Sequence, residues 1–265
     1  MNNKIYIVIC RYTENIEWLR KINLPFVIYD KNDKSNNNFF SNTISIPNIG
    51  REEYVYIKYI IDNYDSLPDR IIFSQANPFY HSPDFINLVN LHDKFDDTQP
   101  LSYRYDHFVP GRQIQLCSRQ FYLGNNRIHV DFFDKHLKRY YPPAKKTFHF
   151  PGGCDYTPSI VPAKTWYYFL QNNSEDIRKS MHDLIEIPTR QFHGLDITPM
   201  CYAGIFSTTK EKIYLKPKSY YENLFDICLS MHFNIEQKAF GWIMEYMWLE
   251  LFDYRPSKEM LFSNI

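Results

Sequence analysis

Apolar positions fall into runs whose period changes along the chain. Ile5-Tyr6-Ile7-Val8-Ile9-Cys10 is continuous and β-branched, the pattern of a parallel strand buried on both faces. Thr13 is a predicted N-cap for a short helix over residues 14–19, with acids in its first turn. Phe26-Val27-Ile28-Tyr29 reads as a second strand, ending in Asp30-Lys31. Residues 32–45 are polar and Asn-rich and read as a surface loop. Gly50-Arg51-Glu52-Glu53 opens the clearest helix. Tyr54, Ile57, Tyr59-Ile60-Ile61 and Tyr64 recur at helical spacing, and Leu67-Pro68-Asp69 stops it. Arg70-Ile71-Ile72-Phe73-Ser74 is a third strand.

Strand, helix, strand, helix, strand over this length predicts a right-handed parallel α/β sheet. Ligands of such sheets bind beyond the carboxyl ends of the strands. That singles out Arg11-Tyr12, Asp30-Lys31 and Gln75-Ala76-Asn77. Further along, a short helix is predicted from Phe85 through Leu91, and another begins over 165–170. Cys201-Tyr202-Ala203-Gly204-Ile205-Phe206-Ser207 reads as a strand with small residues in its middle. Residues 218–230 and 237–251 read as two helices. Residues 99–162, rich in Tyr, Pro and Gly, show no clear period.

Composition narrows the class. The chain has 265 residues, 44% of them hydrophobic, enough to bury a core. Lys+Arg and Asp+Glu both total 30, which speaks against general nucleic-acid binding, where a basic surplus is usual. No stretch has the apolar length of a membrane span, and the opening residues lack a signal-peptide layout. The 5 cysteines show no CxxC pairing, which fits buried thiols in a reducing compartment. A cytoplasmic, intracellular protein is therefore expected. The 22 Tyr and 21 Phe are what an AT-rich coding sequence produces, although tyrosine also suits sugar and base stacking. There is no P-loop, no GxGxxG, no GxSxG elbow and no diagnostic histidine spacing.

Several positions carry two readings each. Asp30, at a strand end, accepts hydrogen bonds from a ribose or base, or is a solvated turn acid. Arg51, at a helix N-terminus, adds a bidentate contact to an anion held by the dipole, or Glu52 and Glu53 satisfy that dipole themselves. Asp93, Asp96 and Asp97, and likewise Asp131 and Asp134, follow no convincing core strand and read as solvated loop acids. Pro151-Gly152-Gly153-Cys154-Asp155 reads as a tight turn.

Five segments together resemble a family of predicted glycosyltransferases near the GT-A type nucleotide-sugar transferases. They are Val8-Ile9-Cys10-Arg11-Tyr12-Thr13-Glu14-Asn15-Ile16-Glu17-Trp18-Leu19; Pro47-Asn48-Ile49-Gly50-Arg51-Glu52 with residues 59–69; Phe73-Ser74-Gln75-Ala76-Asn77-Pro78-Phe79-Tyr80-His81-Ser82-Pro83-Asp84-Phe85; Ala203-Gly204-Ile205-Phe206 with Lys216-Pro217-Lys218-Ser219-Tyr220-Tyr221; and Glu245-Tyr246-Met247-Trp248. The resemblance implies a GT-A-like (Rossmann-like), mostly parallel sheet flanked by helices in one globular domain. Residues 1–101 would form a nucleotide-sugar-binding half and 102–265 an acceptor-binding half. It implies sugar transfer from a nucleotide-sugar donor, UDP- or GDP-linked, to a hydroxyl of a glycan or other acceptor. Arg11, Tyr12, Glu14, Asp30 and Arg51 would hold the nucleotide and diphosphate. Gln75, Asn77 and His81 would surround the donor sugar or a manganese or magnesium ion, where the family carries Asp-x-Asp. Both acids of that motif are amides here, which bring no charge to a hard cation. The alternative is a catalytically lapsed GT-A-like module that binds nucleotide or glycan. Glu245, beside Trp242 and Trp248 in sequence, is the candidate base, and His193 and Asp196 are candidates for acceptor contact.

Overall fold

The computed structural model describes residues 4–32, 40–102, 201–234 and 237–254, together with six strand backbones between 106 and 199. The strands are β1 (Ile5–Arg11), β2 (Phe26–Asp30), β3 (Thr43–Ser45), β4 (Arg70–Gln75), β5 (Thr98–Pro100), β6 (Asp106–Val109), β7 (Arg112–Gln115), β8 (Gln120–Leu123), β9 (Asn126–His129), β10 (Arg190–Phe192), β11 (Leu195–Pro199) and β12 (Phe206–Thr209). The helices are α1 (Arg51–Asn63), α2 (Phe85–Asn90), α3 (Lys210–Ile213), α4 (Lys218–Asn234) and α5 (Gln237–Leu251). A six-stranded sheet runs β3-β2-β1-β4-β12-β5. Its first four strands are parallel, and β12 lies antiparallel to both β4 and β5. The chain is therefore α/β with a mixed, mostly parallel sheet. A second sheet runs β10-β11-β6-β7, and β8 and β9 form a hairpin.

The apolar runs predicted as buried strands are buried on both pleats. Ile7, Val8 and Ile9 of β1 and Ile71, Ile72 and Phe73 of β4 are all fully covered. One pleat faces α1: Tyr6 stacks on Tyr59, and Phe73 packs against Tyr56. Phe206 of β12 continues this layer against Tyr56 and against Trp248 of α5. Elsewhere, Trp18 meets Phe79 and Phe85 edge to face and donates its ring N–H to the Ala76 carbonyl (2.8 Å). That bond anchors the segment leaving β4.

Three local expectations need correction. The helix expected over residues 14–19 is present only from Glu17 on, as a 3-10 helix (Glu17–Lys21), and Thr13 is not its cap. The Glu14 carboxylate accepts the amides of Tyr12 (2.7 Å) and Thr13 (3.0 Å), which folds the chain back, and a 3-10 turn begins only at Glu17. The loop expected over 32–45 ends in a strand, because β3 completes the outer edge of β2. Residues 201–207 do not form one strand. Ala203 and Gly204 both sit at φ +57°, outside the β region, so a turn precedes β12. The helix expected over 165–170 lies outside the described residues.

α1 is covered on nearly every side. The sheet takes one flank, and α4 and α5 take the other. Eight of its 13 residues are buried, Glu52 and Glu53 among them. Its N-terminus is fixed by Lys31, itself only 3% exposed. The Lys31 ammonium donates to the carbonyls of Ile49 and Arg51 and rests over the Tyr54 ring. A buried charge needs such partners. Gly50 precedes the helix at φ +58°, and a Cβ there would lie 2.6 Å from the Cys228 Sγ on α4.

Gly50→Ala meets both a left-handed backbone and that sulfur. It is expected to destabilise the chain by about 1–3 kcal/mol, read from urea midpoints. Cys228→Ala in the same chain should recover part of the loss. An unchanged midpoint for the single variant would show that α4 does not press on the start of α1.

Candidate functional site at the carboxyl edge of the sheet

β1 is flanked by β2 on one side and by β4 on the other. The chain runs outward from β1 to β3, then crosses back through α1 to β4. At such a reversal open α/β sheets bind ligands in the crevice outside the carboxyl ends of the strands, which here is the edge beyond β1 and β4. Arg11 is in register with Asp30, and Cys10 with Gln75. Arg11, Asp30 and Gln75 thus share one edge.

Each group at that edge has specific partners. Arg11 and Asp30 form a buried ion pair. Arg11 Nε also donates to the Glu14 carbonyl (3.0 Å), and the second Asp30 oxygen accepts the Asn32 amide (2.9 Å). Removing one member would strand the other's charge in the interior. Tyr12 and Asn77 are exposed, and His81 is half-buried with its ring against Tyr80. Gln75 Nε2 donates to Glu52 Oε1 (2.9 Å) and to the Ala203 carbonyl (3.1 Å). Arg51 reaches the same Glu52 oxygen at 3.3 Å. Glu52 thus brings a carboxylate to the place where the strand-end motif lacks one.

Backbone strain surrounds this junction. Arg51, at φ +49°, follows the left-handed Gly50, and Ala203 precedes the left-handed Gly204. Left-handed residues other than glycine cost about 1–3 kcal/mol and gather at functional sites.

Behind Glu52 lies a second polar layer. Glu53 is completely buried, and neither of its carboxyl oxygens has a hydrogen-bond partner among the described residues; the same holds for the Tyr56 hydroxyl and the Trp248 ring N–H. Burial, with Glu52 adding, pushes the Glu53 carboxyl well above the usual range, against a smaller pull from Arg51. Glu245 is also buried and acts on both Arg51 and Glu53. Gly241 of α5 makes the room: a Cβ there would stand 3.2 Å from Glu53 Oε2 and 3.3 Å from Arg51 Nη1. A glycine inside a helix costs about 1 kcal/mol relative to alanine. Here it admits the Arg51 and Glu53 side chains between α1 and α5.

Glu52, Glu53 and Gly241 were not singled out as site residues from the sequence; Lys31 was, as a strand-end position, but its ammonium is spent on the backbone that opens α1. The isolated glycine in the apolar pattern of α5 was the available signal. His193 lies outside the described residues, as do Asp131, Asp134 and the turn at 151–155. Asp196 sits on β11 opposite Gln191, and β11 approaches α5, the helix of Glu245. Asp93, Asp96 and Asp97 lie away from the crevice. There Arg70, at the amino end of β4, donates to the Asp96 carbonyl (2.8 Å), and the Asp97 carbonyl accepts the Thr209 amide (2.9 Å). Among the described residues no three His, Cys, Asp or Glu gather as a metal-binding group. Gln75 turns its N–H groups to its two acceptors, and Asn77 brings no charge, so this donor set does not suit a hard divalent cation. Burial raises the thiols of Cys10, Cys201 and Cys228, the opposite of what a cysteine nucleophile needs.

Glu53 predicts a pH dependence. Its proton stays on the folded chain to higher pH than on the unfolded chain. The stability it contributes is complete below the ordinary carboxylate range and is lost as pH rises toward the folded value. Glu53→Gln cannot ionise. Its Tm advantage over the parent is expected to widen from about pH 5 to about pH 8 and to close at lower pH. A constant difference across that range would mean that Glu53 is ionised in the fold. Gln75→Asp sets a second carboxylate against Glu52. It should destabilise the metal-free chain by about 1–3 kcal/mol and give the free protein affinity for manganese, both read by urea unfolding with and without the ion.

Residues 7–99, from β1 into β5, match the profile of a family described as a protein of unknown function (DUF3431). No curated protein and no solved structure matches the chain.

Proposed function

We propose that the chain transfers a sugar from a nucleotide-sugar donor, UDP- or GDP-linked, to an acceptor hydroxyl, in a GT-A-like arrangement. The observation that carries this reading is the carboxyl edge where the chain reverses between β1 and β4. Arg11, Asp30 and Gln75 stand at its rim, and α1 directs its N-terminus and Arg51 toward the same junction. Exposed Tyr12 offers a flat face to the base. The Arg51 guanidinium, held above its ordinary value by Glu52, supplies positive charge for the departing diphosphate. No step in this reading is routed through a metal. Glu245 is the candidate base, and its burial beside Glu53 and Arg51 favours a proton-exchanging role.

A second reading, a lapsed binding module on the same scaffold, is favoured by one observation. The amide of Gln75 is occupied by Glu52 and Ala203, and Arg11 is closed onto Asp30. Both readings place the nucleotide in the same crevice, and they differ in turnover.

A panel of UDP- and GDP-sugars, tested by thermal shift and by hydrolysis with and without manganese, separates the two. A bound donor raises Tm by mass action. Hydrolysis or transfer supports the enzyme, and binding without turnover supports the module. No shift with any nucleotide would overturn both. Arg51→Ala is expected to weaken nucleoside diphosphate binding by about tenfold and nucleoside binding far less. Equal losses in calorimetry would remove Arg51 from the phosphate role.

A further inference from the structure

Arg51 reaches solvent from among buried carboxyl groups. Its side chain is 33% exposed, and Nη2 lies 3.3 Å from Glu52 Oε1. Nη1 stands at Gly241 of α5, and so does Glu53 Oε2. Glu245, one turn further along α5, is buried and acts on both Arg51 and Glu53. The other elements around Glu53 do not offset this charge. Lys31, after β2, gives its ammonium to the carbonyls of Ile49 and Arg51. From β4, Gln75 brings a neutral amide that is spent on Glu52 and Ala203. Cys10 of β1 and Cys228 of α4 feel the Glu53 charge, and burial keeps both thiols protonated, as it does the Tyr56 phenol.

The two acids of α1 differ in their partners. Glu52 Oε1 receives the Gln75 amide at 2.9 Å as well as Arg51. Neither Glu53 oxygen has a hydrogen-bond partner among the described residues. A buried carboxylate without donors is costly, so an ionised Glu53 depends on the guanidinium beside it. A neutral Glu53 makes no such demand. We propose that anion binding at Arg51 is proton-linked through Glu53: the neutral acid leaves the guanidinium to an incoming diphosphate, and the ionised acid competes for it. The bound anion adds negative charge near Glu53 and diverts the cation that would stabilise its carboxylate. Binding therefore favours the neutral acid. Affinity is constant while Glu53 is neutral in the free chain, and it falls as pH rises through the ionisation of Glu53. Burial, with Glu52 adding, places that ionisation above the ordinary carboxylate range. The linkage rests on the reading of Arg51 as the diphosphate contact and adds a control by pH to it.

Uridine diphosphate, guanosine diphosphate and sulfate are the probes, with calorimetry on the full chain from about pH 5.5 to about pH 9. Sulfate keeps one charge throughout, and the ratio between two proteins cancels the titration of the diphosphates themselves. Glu53→Gln should match the parent at the acid end and bind about tenfold tighter at the alkaline end. Over the interval where the two diverge, titrations in buffers of different ionisation enthalpy should show proton uptake by the parent on binding and none by the variant. Uptake by the parent needs no substitution, so it decides the matter even if Glu53→Gln fails to fold. Arg51→Ala should lose both the affinity and the uptake. Binding without proton uptake, or parent and variant with one pH profile, would overturn the linkage and leave Arg51 as the phosphate contact. Diphosphate binding indifferent to Arg51→Ala, or no anion bound at any pH, would overturn both. Proton-linked sulfate binding in a chain that ignores every nucleotide would keep the linkage and remove the sugar-transfer reading.

Discussion

The structure depends on the burial of α1 between the sheet and the pair α4 and α5. A helix covered on both flanks cannot send its polar residues to solvent, so its first turn carries Glu52 and Glu53 into the interior. Three local features then become necessary. Lys31 holds the carbonyls before and within the first turn. Gly50 lets the chain enter beside Cys228, and Gly241 opens α5 for Arg51 and Glu53. None of these residues needs an explanation of its own once α1 is fixed in that position.

The aromatic layer explains why α1 stays there. Tyr56 touches Phe73, Phe206 and Trp248, so one side chain of α1 joins β4, β12 and α5. Each ring adds a large apolar area and an orientation preference. The cost is polar: the Tyr56 hydroxyl and the Trp248 ring N–H are buried without hydrogen-bond partners among the described residues, next to Glu52 and Gly204. Buried polar atoms in that condition are concentrated around water or function, and here they lie directly behind the strand-end crevice.

Much of this was legible in the sequence, for physical reasons. β1 and β4 are buried on both pleats, so they read as unbroken apolar runs, and α1 starts and stops at strong signals. The shared edge of Arg11, Asp30 and Gln75 followed from parallel strands alone. β3 was not legible, because a three-residue edge strand with exposed Ile44 has no period to read. The start of β12 was misread because Ala203 looks like a strand residue while its backbone is left-handed. Partners were hidden as well. That Gln75 would bond Glu52, or that Glu14 would tie up two amides in its own loop, depends on where α1 and the turn after β1 come to rest. Arg51 read as a free cation at a helix end, yet Glu52 next to it takes part of that charge.

β12 lies between β4 and β5 and completes both. Thr98 and Thr208, which bond side chain to side chain across that pairing, are 110 residues apart in sequence. The long loop must close before either contact is formed, and such non-local pairing is slow. On the ribosome, β1 to β4 emerge well before their last partner. Until β12 arrives, β4 presents an open edge of unpaired backbone groups between apolar faces, the form of strand that recruits other chains. The nascent protein is thus most exposed to misassociation while its N-terminal strands wait for a distant segment, and chaperone demand would concentrate in that interval.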